Sequence, residues 1–170
     1  PLILFAALLI PQGNAPAEGL SFPADAYRWL EDSSAGQCDI RLRVEVGRRW
    51  SRADAARIMF CADEQGDGLL LDCTSEGISL GKIEGSVETL LGQSAGWPEP
   101  LDGNGYDLAI KRRGWSVAVL LDGATLIRVH DSFAPGEKVG WALRSVRIQD
   151  PRVQPVDEMI LEDGFARPPD

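Results

Sequence analysis

Trp115-Ser-Val-Ala-Val-Leu-Leu-Asp-Gly-Ala-Thr-Leu-Ile-Arg-Val129 decides how this chain folds. Two apolar runs flank Asp122-Gly123, a pair that readily takes the positive φ angles of a type I′ turn, so the stretch reads as a tight β-hairpin. Upstream, Tyr106-Asp-Leu-Ala-Ile-Lys-Arg112 supplies a further strand that turns at Arg113-Gly114. Downstream, Lys138 to Ile148 and Val156 to Leu161 supply two more. Nearer the start, Cys38-Asp-Ile-Arg-Leu-Arg-Val-Glu-Val46 alternates strictly, with Ile40, Leu42, Val44 and Val46 on one face, which predicts a half-buried strand. Arg57 to Ala62 and Leu69 to Thr74 are apolar runs joined by Asp63-Glu-Gln-Gly-Asp-Gly68, a second hairpin. Gly77 to Ile83 and Val87 to Leu91 form a third around Glu84-Gly85, followed by a Gly- and Pro-rich loop from Gly92 to Gly105. Arg52 to Met59 has some helix-forming composition behind Ser51, and reads as a short turn running into the Arg57 strand. Strands at this spacing predict an all-β protein, a sandwich or a barrel.

The bulk numbers narrow the function. The 170 residues suit one domain, and 44% hydrophobic with 25% charged residues is ordinary for a packed core. Seventeen Lys and Arg against 26 Asp and Glu leave a net charge of −9, which polyphosphate and anionic lipid would repel. Nucleic acid is therefore not an expected partner. Residues 2 to 10 are an unbroken apolar run, and Ala15-Pro16-Ala17 follows as a small-x-small site. Residues 1–17 are accordingly expected to be a signal-peptide remnant, with the module proper over 18–163 and a linker or the start of a following module over 164–170. The alternative for residues 2 to 10 is a buried strand; a membrane span would need about 20 apolar residues. Export predicts a secreted, periplasmic or cell-surface protein. The three cysteines, Cys38, Cys61 and Cys73, are compatible with that compartment, and their spacing does not choose a pairing.

The strand succession from Asp39 to Gln149 resembles the bacterial concanavalin A-like modules, which include laminin G-like domains and the family named after 3-keto-disaccharide hydrolases. The stretches that carry the likeness are Ile40 to Val46, Ala56 to Ala62, Gly68 to Leu71, Tyr106 to Ile110, Val119 to Gly123 and Gly136 to Ala142. They are packing and turn patterns. The resemblance implies an antiparallel two-sheet β-sandwich, a jelly roll, and says almost nothing about chemistry. Since laminin G-like sandwiches often hold calcium at a rim, it makes Asp63, Asp67 and Asp72 candidate calcium ligands, the alternative being that they simply shape the turn.

Catalytic signals are sparse. A retaining glycosidase needs two carboxylates about 5 Å apart, and the Glu-x-Asp-x-x-Glu pattern of jelly-roll glucanases is absent. His130, beside Asp131-Ser132, is the sole histidine, and no Gly-x-Ser-x-Gly elbow accompanies it. Sugar binding instead calls for an exposed ring against which an apolar sugar face can stack. Trp115 and Trp141 share parity with inward residues and are expected in the core. Trp97, in the long loop, and Trp50, between strands, are the candidate ligand-binding rings, with Trp29 as a third. Lys111, Arg128 and Arg144 point outward by alternation and are candidates to line a polar face. The expectation is a non-catalytic recognition module that contacts glycan or a cell-surface protein. The alternatives are a glycoside-acting enzyme and a purely structural or adhesion module.

Overall fold

The computed structural model describes residues 22–30, 38–46, 50–98, 105–130 and 136–156. Its strands are β1 Arg28–Trp29, β2 Cys38–Glu45, β3 Ala55–Ala62, β4 Gly68–Thr74, β5 Gly77–Glu84, β6 Val87–Ala95, β7 Gly105–Arg113, β8 Ser116–Leu121, β9 Ala124–His130, β10 Lys138–Arg144 and β11 Arg147–Pro155. They form two antiparallel sheets. The six-stranded sheet runs β1-β10-β3-β4-β5-β6 and the five-stranded sheet runs β11-β2-β7-β8-β9. The chain is thus the all-β two-sheet sandwich that the resemblance implies, rather than a closed barrel. No helix among the described residues is long and apolar enough to cross a membrane.

The core lies between the sheets. Ile40, Leu42 and Val44 of β2, Leu108 and Ile110 of β7, and Val117 and Val119 of β8 face Ile58 and Phe60 of β3, Leu69 and Leu71 of β4, and Ile78 and Leu80 of β5. Gly92 is where the sheets close on each other along one side, since a Cβ there would sit 2.9 Å from the Ile127 Cγ2 of β9. The hairpin turns match their sequence chemistry. Asp122 and Gly123 have φ of 49° and 83°, as a type I′ turn requires. In the β3–β4 turn, Asp63 Oδ1 accepts from the backbone N–H of Gln65 and of Asp67, each at 2.9 Å. This is an Asx-type arrangement that fixes the reversal.

Three expectations are corrected. Trp115 is 75% exposed, because the turn after β7 takes in Gly114 and Trp115, and the inward alternation of β8 starts only at Ser116. The loop after β6 starts later than expected: pairing with β5 carries β6 through to Ala95. The run from Lys138 to Ile148 is two strands, broken at Ser145, whose φ is 60°, so β11 occupies Arg147–Pro155. The strand expected over Val156 to Leu161 lies, beyond Val156, outside the described residues, as do residues 1–17 and 164–170.

Candidate functional site

The outward face of the six-stranded sheet carries a polar centre that composition alone hides. β3 is buried along its whole length, and so is most of β4, yet each has one charged residue in mid-strand. Antiparallel register sets Arg57 directly opposite Asp72. The guanidinium meets the carboxylate in a fork: Arg57 Nε donates to Asp72 Oδ1 and Nη2 to Asp72 Oδ2, each at 2.7 Å. Both residues are only 8% exposed. Burial works against the Arg57 charge, but the hydrogen bonds to Asp72 and its charge outweigh it, so the guanidinium is held more firmly protonated than in water.

Two walls frame this pair. On one side Glu88 Oε2 lies 3.6 Å from Arg57 Nη2. Glu88 stands on β6 and reaches inward across β5, where Gly81 offers no side chain to block it; a Cβ at Gly81 would lie 3.8 Å from Glu88 Cγ. On the other side are Tyr27 and Trp29, whose rings stack with centroids 5.7 Å apart. Trp29 pairs with Gly140 of β10 and its ring packs against that glycine, since a Cβ there would be 2.6 Å from Trp29 Cε3. Trp29 remains 43% exposed. Tyr27 contacts Arg57, and burial pushes its phenol up against the opposing pull of that cation. Small residues therefore floor a surface with a charged centre, a carboxylate on one flank and aromatic rings on the other.

The residues singled out from sequence are distributed differently. Trp50 and Trp97 do come together, their rings stacked at 4.3 Å, and Trp97 tilts against Tyr106 at 4.8 Å. Both are half-buried against the core, and Trp97 Nε1 donates to the Thr74 carbonyl. They plug the gap between β4 and β7 and offer each other the faces a sugar would need. Lys111 and Arg128 share one outward row of the five-stranded sheet, on either side of Ala118. Arg144 does not join them. It lies in the six-stranded sheet, donates to the Ala53 carbonyl at 3.2 Å and sits over the Phe22 ring. Alternation gave its face correctly, but the topology puts β10 in the other sheet.

The calcium candidates are not brought together either. Asp63 closes its own turn, and both carboxylate oxygens of Asp67 accept from the Gly85 N–H at 2.9 Å, tying two turns to each other. Asp72 is farther along β4 and is engaged by Arg57. Among the described residues no group of three or more His, Cys, Asp or Glu is placed to hold a metal ion. Arg57, Glu88 and Tyr27 went unnoticed in the sequence. The available signal was the lone arginine and lone aspartate in two otherwise apolar strands, which the Asp63–Gly68 turn places face to face.

The paired rings give a direct prediction. Trp97→Phe removes a donor from the part-buried Thr74 carbonyl and is expected to cost about 1 kcal/mol in denaturant unfolding. Among the described residues the buried Trp50 Nε1 finds no hydrogen-bond partner. Trp50→Phe keeps most of the ring and is expected to leave stability unchanged or slightly raised.

No family model matches the chain, and no curated protein matches it. Solved structures do. The carbohydrate-binding module CBM66 from Bacillus subtilis superposes with a TM-score of 0.58 at 17% identity, over 70% of this chain and 75% of that one. A human galectin-16 variant reaches 0.60 at 13% identity, over 76% and 95%. Congerin II, solved with lactose and MES, reaches 0.56 at 12% identity, over 75% and 100%. Likeness at these identities establishes the fold: a β-sandwich of the jelly-roll kind that carbohydrate-binding modules and galectins share.

Proposed function

We propose that this protein is a non-catalytic glycan-recognition module whose ligand lies on the outward face of the six-stranded sheet, across Trp29, Arg57, Asp72 and Glu88. The observation that carries the reading is the exposed Trp29 ring packed against Gly140, beside the Arg57–Asp72 fork. A pyranose has apolar C–H faces and a rim of hydroxyls. An exposed indole stacks on the first, while a guanidinium and carboxylates at fixed positions donate to and accept from the second. Sandwiches with the same fold include a carbohydrate-binding module and a congerin solved with lactose, which supports the reading.

Binding without catalysis is supported by the same geometry: both Asp72 oxygens accept from Arg57, and Glu88 lies against the same cation. Both carboxylates are tied to one cation, which counts against their serving as the free acid and nucleophile of glycoside cleavage. Export is part of the proposal, supported by the apolar run at residues 2 to 10 and the small residues at 15 to 17. So is the closer relation to the 3-keto-disaccharide hydrolase-like family, which rests on the strand and turn patterns alone.

A glycan array on the full chain, followed by titration of each hit, tests the reading. Trp29→Ala is expected to weaken binding at least about tenfold, a difference of about 1.4 kcal/mol, with unfolding nearly unchanged because the ring sits on an edge strand. Glu88→Gln is expected to weaken it less. Binding that survives Trp29→Ala but is lost in Lys111→Ala or Arg128→Ala would move the site to the other sheet. An array without hits would favour a structural module.

A further inference from the structure

Cys38 and Cys61 come from different sheets and meet inside the core. Cys38 opens β2, and its inward side chain lies one residue beyond the Asp39–Lys111 pairing, beside Arg112 of β7. Cys61 lies near the end of β3 in the opposing sheet, with a φ of 54°. The Cys38 thiol hydrogen-bonds with Cys61, and Arg112 Nη1 donates to Cys61 Sγ at 2.9 Å. Both sulfurs are fully buried, and all three cysteines are in the thiol form. Cys73 has different surroundings. It lies on β4 with Ala56 and Ile78 directly opposite in register, and its burial pushes the thiol up.

We propose that Cys38 and Cys61 are a disulfide-forming site that crosslinks the two sheets when the protein meets a peroxide. The geometry assigns the roles of the two sulfurs. The hydrogen bond from Cys38 favours the Cys61 thiolate; burial opposes this, and the Arg112 cation reinforces it, so the balance lowers Cys61. Cys38 is raised correspondingly, by the same hydrogen bond and by burial. Cys61 sulfur attacks one peroxide oxygen, the O–O bond breaks, and the leaving oxygen takes a proton to depart as water when the oxidant is hydrogen peroxide. Cys61 is then a sulfenic acid. Cys38 sulfur, losing its proton, attacks Cys61 sulfur, the S–O bond breaks, and hydroxide leaves with that proton as a second water. The two thiols together lose two electrons and the peroxide gains them. A peroxide suits the site because it is small, whereas a bulky disulfide reagent would have to reach sulfurs with no exposed surface.

The test uses the intact protein. It is treated with hydrogen peroxide under native conditions, the remaining thiols are alkylated after denaturation, and the peptides are mapped by mass spectrometry. The expected products are a peptide pair linked through Cys38 and Cys61, with Cys73 alkylated. The Tm is expected to rise by several degrees and to return on addition of dithiothreitol, since the crosslink constrains the unfolded chain. Cys73→Ser is expected to crosslink as well as the unsubstituted protein. In Cys38→Ala the Cys61 sulfenic acid has no resolving partner and is expected to be trapped by dimedone added together with the denaturant, which opens the buried site to the reagent. Alkylation of both Cys38 and Cys61 after peroxide, a crosslink that contains Cys73, or no trapping at Cys61 in Cys38→Ala would each overturn the proposal.

Discussion

Asp72→Ala is expected to destabilise the protein by about 3–5 kcal/mol, because it leaves the Arg57 guanidinium buried without its counter-charge. The carboxylate accepts two hydrogen bonds at 2.7 Å from a side chain with almost no access to water, and Glu88, at 3.6 Å, is too exposed and too distant to replace it. Arg57→Met alone strands Asp72 and is expected to cost a similar amount. The double variant Arg57→Met/Asp72→Leu is informative, since a buried ion pair exchanged for apolar residues of similar size is often neutral or stabilising. Denaturant unfolding of the two single variants and the double should therefore show strong non-additivity, the double lying well above the sum of the singles. If the double recovers stability and loses glycan binding, the pair is retained for recognition. If the double is as unstable as the sum, the fork holds the sheet in register and that role suffices to explain it.

The second large effect is expected at Gly77. Its φ is +138°, and a Cβ built there would stand 2.1 Å from the Ser94 carbonyl oxygen of the neighbouring strand. Both atoms belong to backbone that is locked in the β5–β6 ladder, so neither can turn aside as a side chain would. Gly77→Ala is expected to cost about 2–5 kcal/mol from backbone strain and overpacking together. Gly66→Ala is the matched control. That glycine also has a positive φ, +87°, but has nothing within 4 Å of the added methyl. Only the left-handed backbone penalty of about 1–2 kcal/mol is expected there. Thermal unfolding of the two variants separates conformational strain from collision, and equal losses would show that the β5–β6 register yields at Gly77.

The strands were legible because each reports its own periodicity. The inward set Ile40, Leu42, Val44 and the turn pair Asp122-Gly123 need no knowledge of their partners to be read. Trp115 shows where this ends: parity extrapolated past the first residue of β8 carried it into the core, while the positive φ of Gly114 had already turned the chain. Which sheet a strand joins is a different kind of information. Alternation shows that Arg144 points outward, but only the pairing of β10 with β1 and β3 tells that it points away from Lys111 and Arg128. The stacked Trp50 and Trp97 come from outside the regular strands, where no period constrains a side chain. The Arg57–Asp72 fork is intermediate. Its register follows from the hairpin turn, so it was readable in principle, and it went unseen because one charge in an apolar strand looks like an exception until its partner is found.

The sheet order also bears on how the molecule assembles. β10 fits between β1 and β3, and β11 lies beside β2, pairing residues as far apart in sequence as Arg28 with Trp141 and Glu45 with Arg147. Neither sheet can close until the segment from Lys138 to Pro155 has joined it. While the chain is being made, β3 has an unpaired edge, although its apolar residues need cover on both faces. Such long-range pairings make folding slow, and they lengthen the interval in which that edge can associate with another chain. Made after the strands they pair with, β10 and β11 therefore act as the clasp of the sandwich, and the rate at which they dock sets how long the unfinished protein stays vulnerable.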